Sequence, residues 1–147
     1  MLSEEQGVAA LIELFPNRDL VAALRDEAGL AAFRETFAAI TTPDVEVVMS
    51  GPGGFSSTFR GVDGFLEGWR DWLEPFASYR MELDPEVRTS RDAVVLFARQ
   101  VATPRGSSAA VTDEAASVAF LRDGKIHRIE FHLDREAALR AAGIDEA

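Results

Sequence analysis

The stretch from Ala115 to Gly143 decides the fold, and it reads AASVAFL (115–121), RDGK (122–125), IHRIEFHL (126–133) and DREAALRAAG (134–143). Asp123-Gly124 lies between two segments of strand-like composition. This dipeptide is the strongest short-range signal for a β-hairpin with a two-residue turn. Asp134 has the residue type and the position of a helix N-cap. The stretch therefore predicts a strand, a tight turn, a second strand and a short C-terminal helix.

A two-residue turn also fixes which side chains share a face, because side chains alternate along a strand. Without a bulge, the face assigned to the interior carries Ala116, Val118, Phe120, His127, Ile129, Phe131 and Leu133. The opposite face carries Ala115, Ser117, Ala119, Leu121, Ile126, Arg128, Glu130 and His132. The only two histidines then point to opposite faces and cannot bind the same ion. We expect no metal and no other cofactor.

Helical periodicity dominates the first forty residues. Ser3 fits the first position of a capping box, and Asp19 is a second N-cap candidate. Pro43 ends the helical region, since a proline disfavours helical geometry in the residue before it. A short strand is predicted over 45–49. The glycine-rich loop at 50–54 lacks the residues of a phosphate-binding motif.

The clearest helix is predicted over Gly61–Phe76, where the apolar residues fall on one face. Trp69 and Trp72 both lie on that face, where they either fill the core or stack on a flat ligand. Strands follow over 79–84, 93–102 and 109–121.

Helices followed by a run of antiparallel strands are typical of an α+β fold, here a curved sheet around the N-terminal helices in one domain over 1–147. The strand at 93–102 is apolar on both faces at its centre, Val94–Ala98. An antiparallel sheet that is open to water on one side should alternate, so we expect this strand to be covered twice. The domain's own helices would cover one face, and a second copy of the chain is the simplest cover for the other.

Composition excludes several classes of protein. The net charge is −10, from 25 acidic and 15 basic residues, which disfavours nucleic acid and anionic membranes as partners. The absence of cysteine excludes disulfides and thiol chemistry. No apolar run approaches the length of a membrane span, and we expect a cytoplasmic protein.

The chain resembles the SnoaL-like branch of the nuclear transport factor 2-like superfamily. The residues that carry the resemblance include Phe59-Arg60-Gly61, the Asp123-Gly124-Lys125-Ile126 turn, Arg128-Ile129-Glu130 and Leu133-Asp134-Arg135. The resemblance implies a cone-shaped α+β barrel with an apolar pocket, usually in a homodimer. Relatives include polyketide cyclases, ketosteroid isomerases, dehydratases, epoxide hydrolases and many proteins of no known activity.

One departure from the resemblance bears on chemistry. SnoaL-type cyclases carry an acid–base aspartate on the last strand with a histidine two residues before it, and those positions fall on Phe131 and Ile129 here. Neither hydrocarbon side chain can move a proton, so cyclase activity is not carried over. The remaining candidates for catalysis are His127, Tyr79 and Arg99. Either Arg99 or its neighbour Gln100 faces the interior, and the sequence leaves both alternatives open.

The residues expected to line an apolar pocket are Trp69, Phe97, Val118, Phe120, Ile129 and Phe131. Three functions remain open: binding of a small hydrophobic molecule without turnover, an isomerase-, cyclase-, dehydratase- or hydrolase-type enzyme on a polyketide- or steroid-like substrate, and a dimeric interaction module with a filled cavity. A fold alone does not choose among them.

Overall fold

The structure is a computed structural model that describes Ala9, residues 19–50 and residues 56–144. The predicted capping box at Ser3 and the glycines at 51–54 lie outside these residues. In chain order the elements are α1 (Leu20–Arg25), α2 (Glu27–Ile40), β1 (Thr41–Ser50), β2 (Ser56–Arg60), α3 (Gly61–Leu73), β3 (Phe76–Thr89), β4 (Ala93–Pro104), β5 (Val111–Arg122), β6 (Lys125–His132) and α4 (Arg135–Ala141).

Aspartate caps begin three of the helices. The Asp19 carboxylate accepts a hydrogen bond from the Val21 N–H at 3.0 Å, and Asp26 accepts one from the Gly29 N–H at 3.1 Å. Asp134 caps α4 by accepting from the Glu136 N–H at 2.9 Å, as the sequence predicts. These bonds satisfy backbone donors that the first turn of a helix leaves without partners.

Asp19 has a second role that joins α1 to the sheet. The carboxylate oxygen that caps α1 also accepts from the backbone N–H of Tyr79 in β3, at 3.0 Å. Because β3 is an edge strand, an N–H on its open side has no neighbouring strand to bind. One carboxylate thus fixes the start of a helix and part of a sheet edge.

The helix predicted over Gly61–Phe76 ends earlier than expected. Helix α3 stops at Leu73, and Phe76 is instead the first residue of β3. Pro75 explains the difference, since it has no N–H to continue the hydrogen bonds of the helix; Glu74 before it still has helical φ and ψ angles. The strand predicted from Tyr79 is correct but begins three residues earlier.

The six strands form one curved, unclosed sheet in the order β2-β1-β6-β5-β4-β3. Among the described strands, the β1–β6 pair alone is parallel, and the other neighbours are antiparallel. Helices α1 to α3 pack on one face, which we call the inner face, and α4 packs on the opposite, outer face. The α+β prediction is confirmed. Among the described residues, no helix combines the length and the apolar character needed to cross a membrane.

The hairpin turn is as predicted. Arg122 pairs with Lys125 and Leu121 with Ile126, while Asp123 and Gly124 have φ angles of 53° and 80°. These positive angles are typical of the turn that suits the twist of a hairpin.

The register beyond the turn differs from the prediction. Phe120 pairs with Arg128 instead of His127, so His127 is the extra residue of a β-bulge. Ile129 and Phe131 lie on the inner face, as expected, but their partners in β5 are Ala119 and Ser117. The expectation that Ala116, Val118 and Phe120 face the interior is therefore wrong, and these three residues lie on the outer face.

The outer face of β4 is covered by the chain itself. Val94 and Leu96 pack against the helices of the inner face, whereas Val95 and Phe97 pack beneath α4. Leu139 of α4 is 2% exposed and belongs to this outer core. The strand is thus covered twice, but the seven-residue C-terminal helix supplies the second cover. The homodimer stays a prediction.

Candidate functional site

A small cavity lies between α3 and the inner face of the sheet. Its volume is about 20 Å³, enough for one water-sized group. Its lining comes from β1, α3, β3, β4, β5, β6 and the residue after β6. The residues are Met49, Ser50, Trp69, Trp72, Tyr79, Met81, Gln100, Ala115, Ala116, Phe131, His132 and Leu133.

Aromatic rings form much of the cavity wall. The Trp69 ring lies 5.1 Å from the Phe131 ring and 6.0 Å from the Tyr79 ring, both in edge-to-face arrangements. Helix α3 approaches β1 closely because residue 68 is glycine. A Cβ at Gly68 would lie 2.9 Å from the sulfur of Met49. A larger residue at position 68 would therefore require Met49 or α3 to shift.

A buried polar pair lies among these apolar groups. The Tyr79 hydroxyl donates a hydrogen bond to Oε1 of Gln100 at 2.6 Å, and the two residues are 2% and 8% exposed. Burial raises the pKa of the Tyr79 hydroxyl well above its usual range, and the nearby Trp72 indole opposes this rise. The phenol is therefore neutral at physiological pH, so it serves as a hydrogen-bond donor and not as a base.

The Trp72 indole nitrogen is also buried. It hydrogen-bonds to the Tyr79 hydroxyl, although the geometry of this contact is irregular. Indole nitrogen is a donor only. The Tyr79 hydroxyl thus joins the Trp72 indole to the Gln100 amide.

The three predicted catalytic residues do not come together. Of the two alternatives on β4, Gln100 faces the cavity, and Arg99 lies on the outer face, where its Nε donates to Glu82 at 3.0 Å. His127 lies in the bulge, with its ring centroid 6.5 Å from that of Phe120. Partial burial and the Arg122 guanidinium lower its pKa. Tyr79 alone of the three lines the cavity.

The predicted pocket-lining residues divide in a similar way. Trp69 and Phe131 line the cavity, whereas Ile129 lies in the inner core without reaching it. Val118, Phe120 and Phe97 belong to the outer core beneath α4. Val118 and Phe120 lie on this face because the bulge at His127 shifts the register of β5 against β6. Phe97 alternates with Leu96 and Ala98, which face inward.

Charged residues of β1 and β6 form a network on the outer face. Arg128 binds Glu46 at 3.0 Å and Glu130 at 2.7 Å, and Nε2 of His132 contacts Glu130 at 2.8 Å. The hydrogen bond from His132, with that from Arg128, lowers the pKa of Glu130. In the described part of the chain, no group of three or more His, Asp or Glu side chains could hold a metal ion.

A larger but open groove of about 620 Å³ crosses the outer face of β3, β4 and β5. The two arginines of its lining form ion pairs: Arg99 with Glu82, and Arg135 with Glu86, which lies outside the lining, at 2.9 Å. The Arg135 guanidinium also stacks 3.8 Å above the Phe97 ring.

Met49 and Met81 are not among the residues expected at the site, although the alternation of Tyr79, Met81 and Leu83 with polar residues predicts that Met81 faces inward. Gln100 is different, because it was one of two stated alternatives. The β3–β4 pairing puts Met81 opposite Gln100 and Glu82 opposite Arg99. The alternation of polar and apolar residues in β3 could have favoured Gln100 if that pairing had been known.

Comparisons with known proteins agree with this architecture. The SnoaL-like domain family matches residues 8–129. An NTF2-like protein of unknown function from Burkholderia pseudomallei K96243 has 19% identity and a TM-score of 0.64, over 92% of this chain and 96% of that one. An NTF2-like protein from Burkholderia xenovorans LB400 has 15% identity and a TM-score of 0.61, over 97% and 99%. TerC, co-crystallised with polyporic acid, has 22% identity and a TM-score of 0.63, over 92% and 96%. No curated protein sequence matches significantly.

Proposed function

The chain belongs to the SnoaL-like domain family, and we propose that it binds a small, mainly apolar molecule between α3 and the inner face of the sheet. The observation that carries the proposal is the buried Tyr79–Gln100 pair inside an aromatic wall. A few fixed polar groups in an apolar cavity are typical of small-molecule sites, where they orient the ligand.

Binding requires side chains to move, because the cavity of about 20 Å³ holds no more than a water-sized group. Two of the lining residues, Met49 and Met81, have unbranched side chains that adapt readily to new shapes. Trp72 is only partly buried and can swing outward at lower cost than the fully enclosed Trp69. We therefore propose an induced opening between α3 and β3.

The proposal is for binding without turnover. Ile129 and Phe131 occupy the inner face, where relatives with cyclase activity carry their proton-transfer pair, and both are hydrocarbon. The Tyr79 phenol is held neutral by burial, and it already donates to Gln100. TerC was crystallised with a small molecule, polyporic acid, and at 22% identity this likeness supports the capacity of the fold and not the ligand.

Thermal-shift screening with steroid- and polyketide-like compounds tests the proposal, with tryptophan fluorescence as a second readout. A ligand in excess over its Kd raises the midpoint of unfolding of the wild type. Ala115→Leu adds carbon atoms to the cavity wall and should abolish that rise. Arg99→Ala changes the outer face of the neighbouring strand and should preserve it. If no compound shifts the wild-type midpoint or its fluorescence, the proposal is wrong.

A second candidate, a dimeric interaction module with a filled cavity, is favoured by the same small volume. We place its interface on the outer face of β3 to β5, beside α4. Val111, at 54%, is the one exposed large hydrophobic side chain of the described residues, so such an interface would be held largely by charged groups. Sedimentation at low and high salt tests this candidate. A dimer that weakens with salt supports it, and a monomer at every concentration removes it.

A further inference from the structure

We infer that a surface hollow, lined by the last turns of α1 and α3 and by the residue after β4, binds the phosphate group of a small phosphate monoester. The hollow shares no lining residue with the inner cavity, so the inference does not depend on the proposed function. Its volume is about 260 Å³, close to the lower end of the range for small-molecule sites. The described residues that line it are Val21, Leu24, Arg25, Arg70, Leu73, Glu74 and Arg105.

The hollow gathers arginines that have no counter-charge. Thirteen arginines lie in the described part of the chain, and eight of them form ion pairs with carboxylates. The other five form no ion pair with a described residue, and three of these five, Arg25, Arg70 and Arg105, line the hollow. The Glu74 carboxylate lies in the same lining but pairs with none of them. Like charges that share one hollow repel each other, and a bound anion removes that cost.

Local structure explains how the guanidinium groups come together. Arg25 lies in the last turn of α1 and Arg70 in the last turn of α3, where the partial negative charge of a helix end attracts a cation. Each helix end carries about half a charge, so both ends and the Glu74 carboxylate together do not neutralise three arginines. The hollow therefore keeps a net positive charge in a chain whose net charge is −10.

Arg105 is held in position by the end of α3. Its Nε donates to the backbone carbonyl of Glu74 at 2.7 Å, and its backbone N–H donates to the carbonyl of Pro75 at 2.9 Å. A guanidinium has five N–H donors in a fixed fork, and the described residues accept from Nε alone. The terminal NH₂ groups of Arg105 are therefore available to a ligand.

The charge and the shape of the hollow favour a phosphate monoester. Such a group carries a charge of about −1.5 to −2 at pH 7 and offers three acceptor oxygens, which suits arginines from three different elements. A carboxylate brings one charge and two oxygens. Val21, Leu24 and Leu73 supply an apolar wall for the organic part of the molecule. A polyanion is disfavoured, because the chain as a whole is acidic and screening limits the attraction of the hollow to about 8 Å at physiological ionic strength.

The test uses four probes: phenyl phosphate, inorganic phosphate, benzoate and phenol. Isothermal titration calorimetry measures each Kd, and backbone amide shifts of ¹⁵N-labelled protein locate the site. The variants are Arg70→Gln and Arg105→Gln. Arg91→Gln is the matched control, since it removes the same charge from an arginine that also lacks an ion pair but lies outside the hollow, between β3 and β4.

We expect phenyl phosphate to bind the wild type most tightly, with inorganic phosphate and benzoate weaker and phenol not binding. The amide shifts should change at the ends of α1 and α3 and around Arg105. Arg70→Gln and Arg105→Gln should each weaken the binding of phenyl phosphate about tenfold, the value of one lost hydrogen bond to a charged group at an exposed site. Arg91→Gln should leave the Kd nearly unchanged.

Absence of phenyl phosphate binding at millimolar concentration overturns the inference. So does tighter binding by benzoate, equal binding by inorganic and phenyl phosphate, or an affinity that falls as much in Arg91→Gln as in the other two variants. Should Arg105→Gln fail to fold because its bond to Glu74 is lost, Arg25→Gln takes its place, since no described residue accepts a hydrogen bond from Arg25. The result for the uncharged compounds that test the inner cavity is independent of each of these outcomes.

Discussion

Replacement of Asp19 by alanine should be far more damaging than replacement of Asp26, although both residues cap helices. Each caps one backbone N–H, of Val21 and Gly29 respectively, and loss of such a cap costs about 1 kcal/mol. Asp19 also accepts from the Tyr79 N–H at 3.0 Å. A hydrogen bond to a charged acceptor contributes about 1.5–3 kcal/mol, and partial exposure reduces this toward the lower limit.

We therefore expect Asp19→Ala to lower the free energy of unfolding by about 2.5 kcal/mol and Asp26→Ala by about 1 kcal/mol. Urea denaturation at pH 7 measures both, with the slope of each transition as a check on two-state behaviour. Asp19→Asn keeps a neutral acceptor in the same place and should fall between the wild type and Asp19→Ala.

The reasoning is refuted if the two alanine variants lose the same free energy within about 0.5 kcal/mol, the usual error of additivity. Hydrogen exchange provides an independent check. The Tyr79 amide should exchange faster in Asp19→Ala, and its protection should be unchanged in Asp26→Ala.

Two further predictions concern Glu130 and Gly29. The pKa of Glu130 is lowered in the folded state. Its ion pairs therefore stabilise the protein fully at pH values above the ordinary glutamate pKa of 4.5. This stabilisation is lost as the pH falls through the lower pKa of the folded state. Glu130→Gln should lower the free energy of unfolding by about 1–2 kcal/mol at pH 7 and by progressively less in acid. Urea denaturation from pH 7 to 3 measures this difference. An equal loss of free energy at every pH would contradict the prediction. Gly29→Ala places a Cβ 2.6 Å from the backbone oxygen of Ala23. This overlap should outweigh the better helix propensity of alanine. We expect the variant to lose about 1–2 kcal/mol of its free energy of unfolding. A variant more stable than the wild type by calorimetry would show that α1 moves aside freely.

Features that depend on neighbouring residues could be predicted from the sequence. The two-residue turn requires positive φ angles, which Asp123 and Gly124 adopt more readily than most other residues. The turn was therefore predictable. Asp19 and Asp134 were predictable as caps, because a cap bonds within its own first turn.

Features set by distant parts of the chain could not be predicted in the same way. The bulge at His127 has no glycine or proline to mark it, and it reversed the faces expected for β5. The β3–β4 register, which decides between Arg99 and Gln100, is itself interrupted between Leu83 and Val87. The cover of Phe97 by α4 joins residues about forty positions apart, and alternation within β4 cannot reveal it.

The place of α4 in the chain also has a consequence for biosynthesis. The ribosome releases this helix after all six strands, so the outer surface of β4 and β5 stays uncovered until α4 emerges. During that interval Val95, Phe97 and Val118 form an apolar strip on a nascent sheet, the kind of surface that chaperones retain and that aggregates when it is left free. A chain that terminates before Asp134 would carry this strip permanently. The exposure of this strip during synthesis therefore depends on α4.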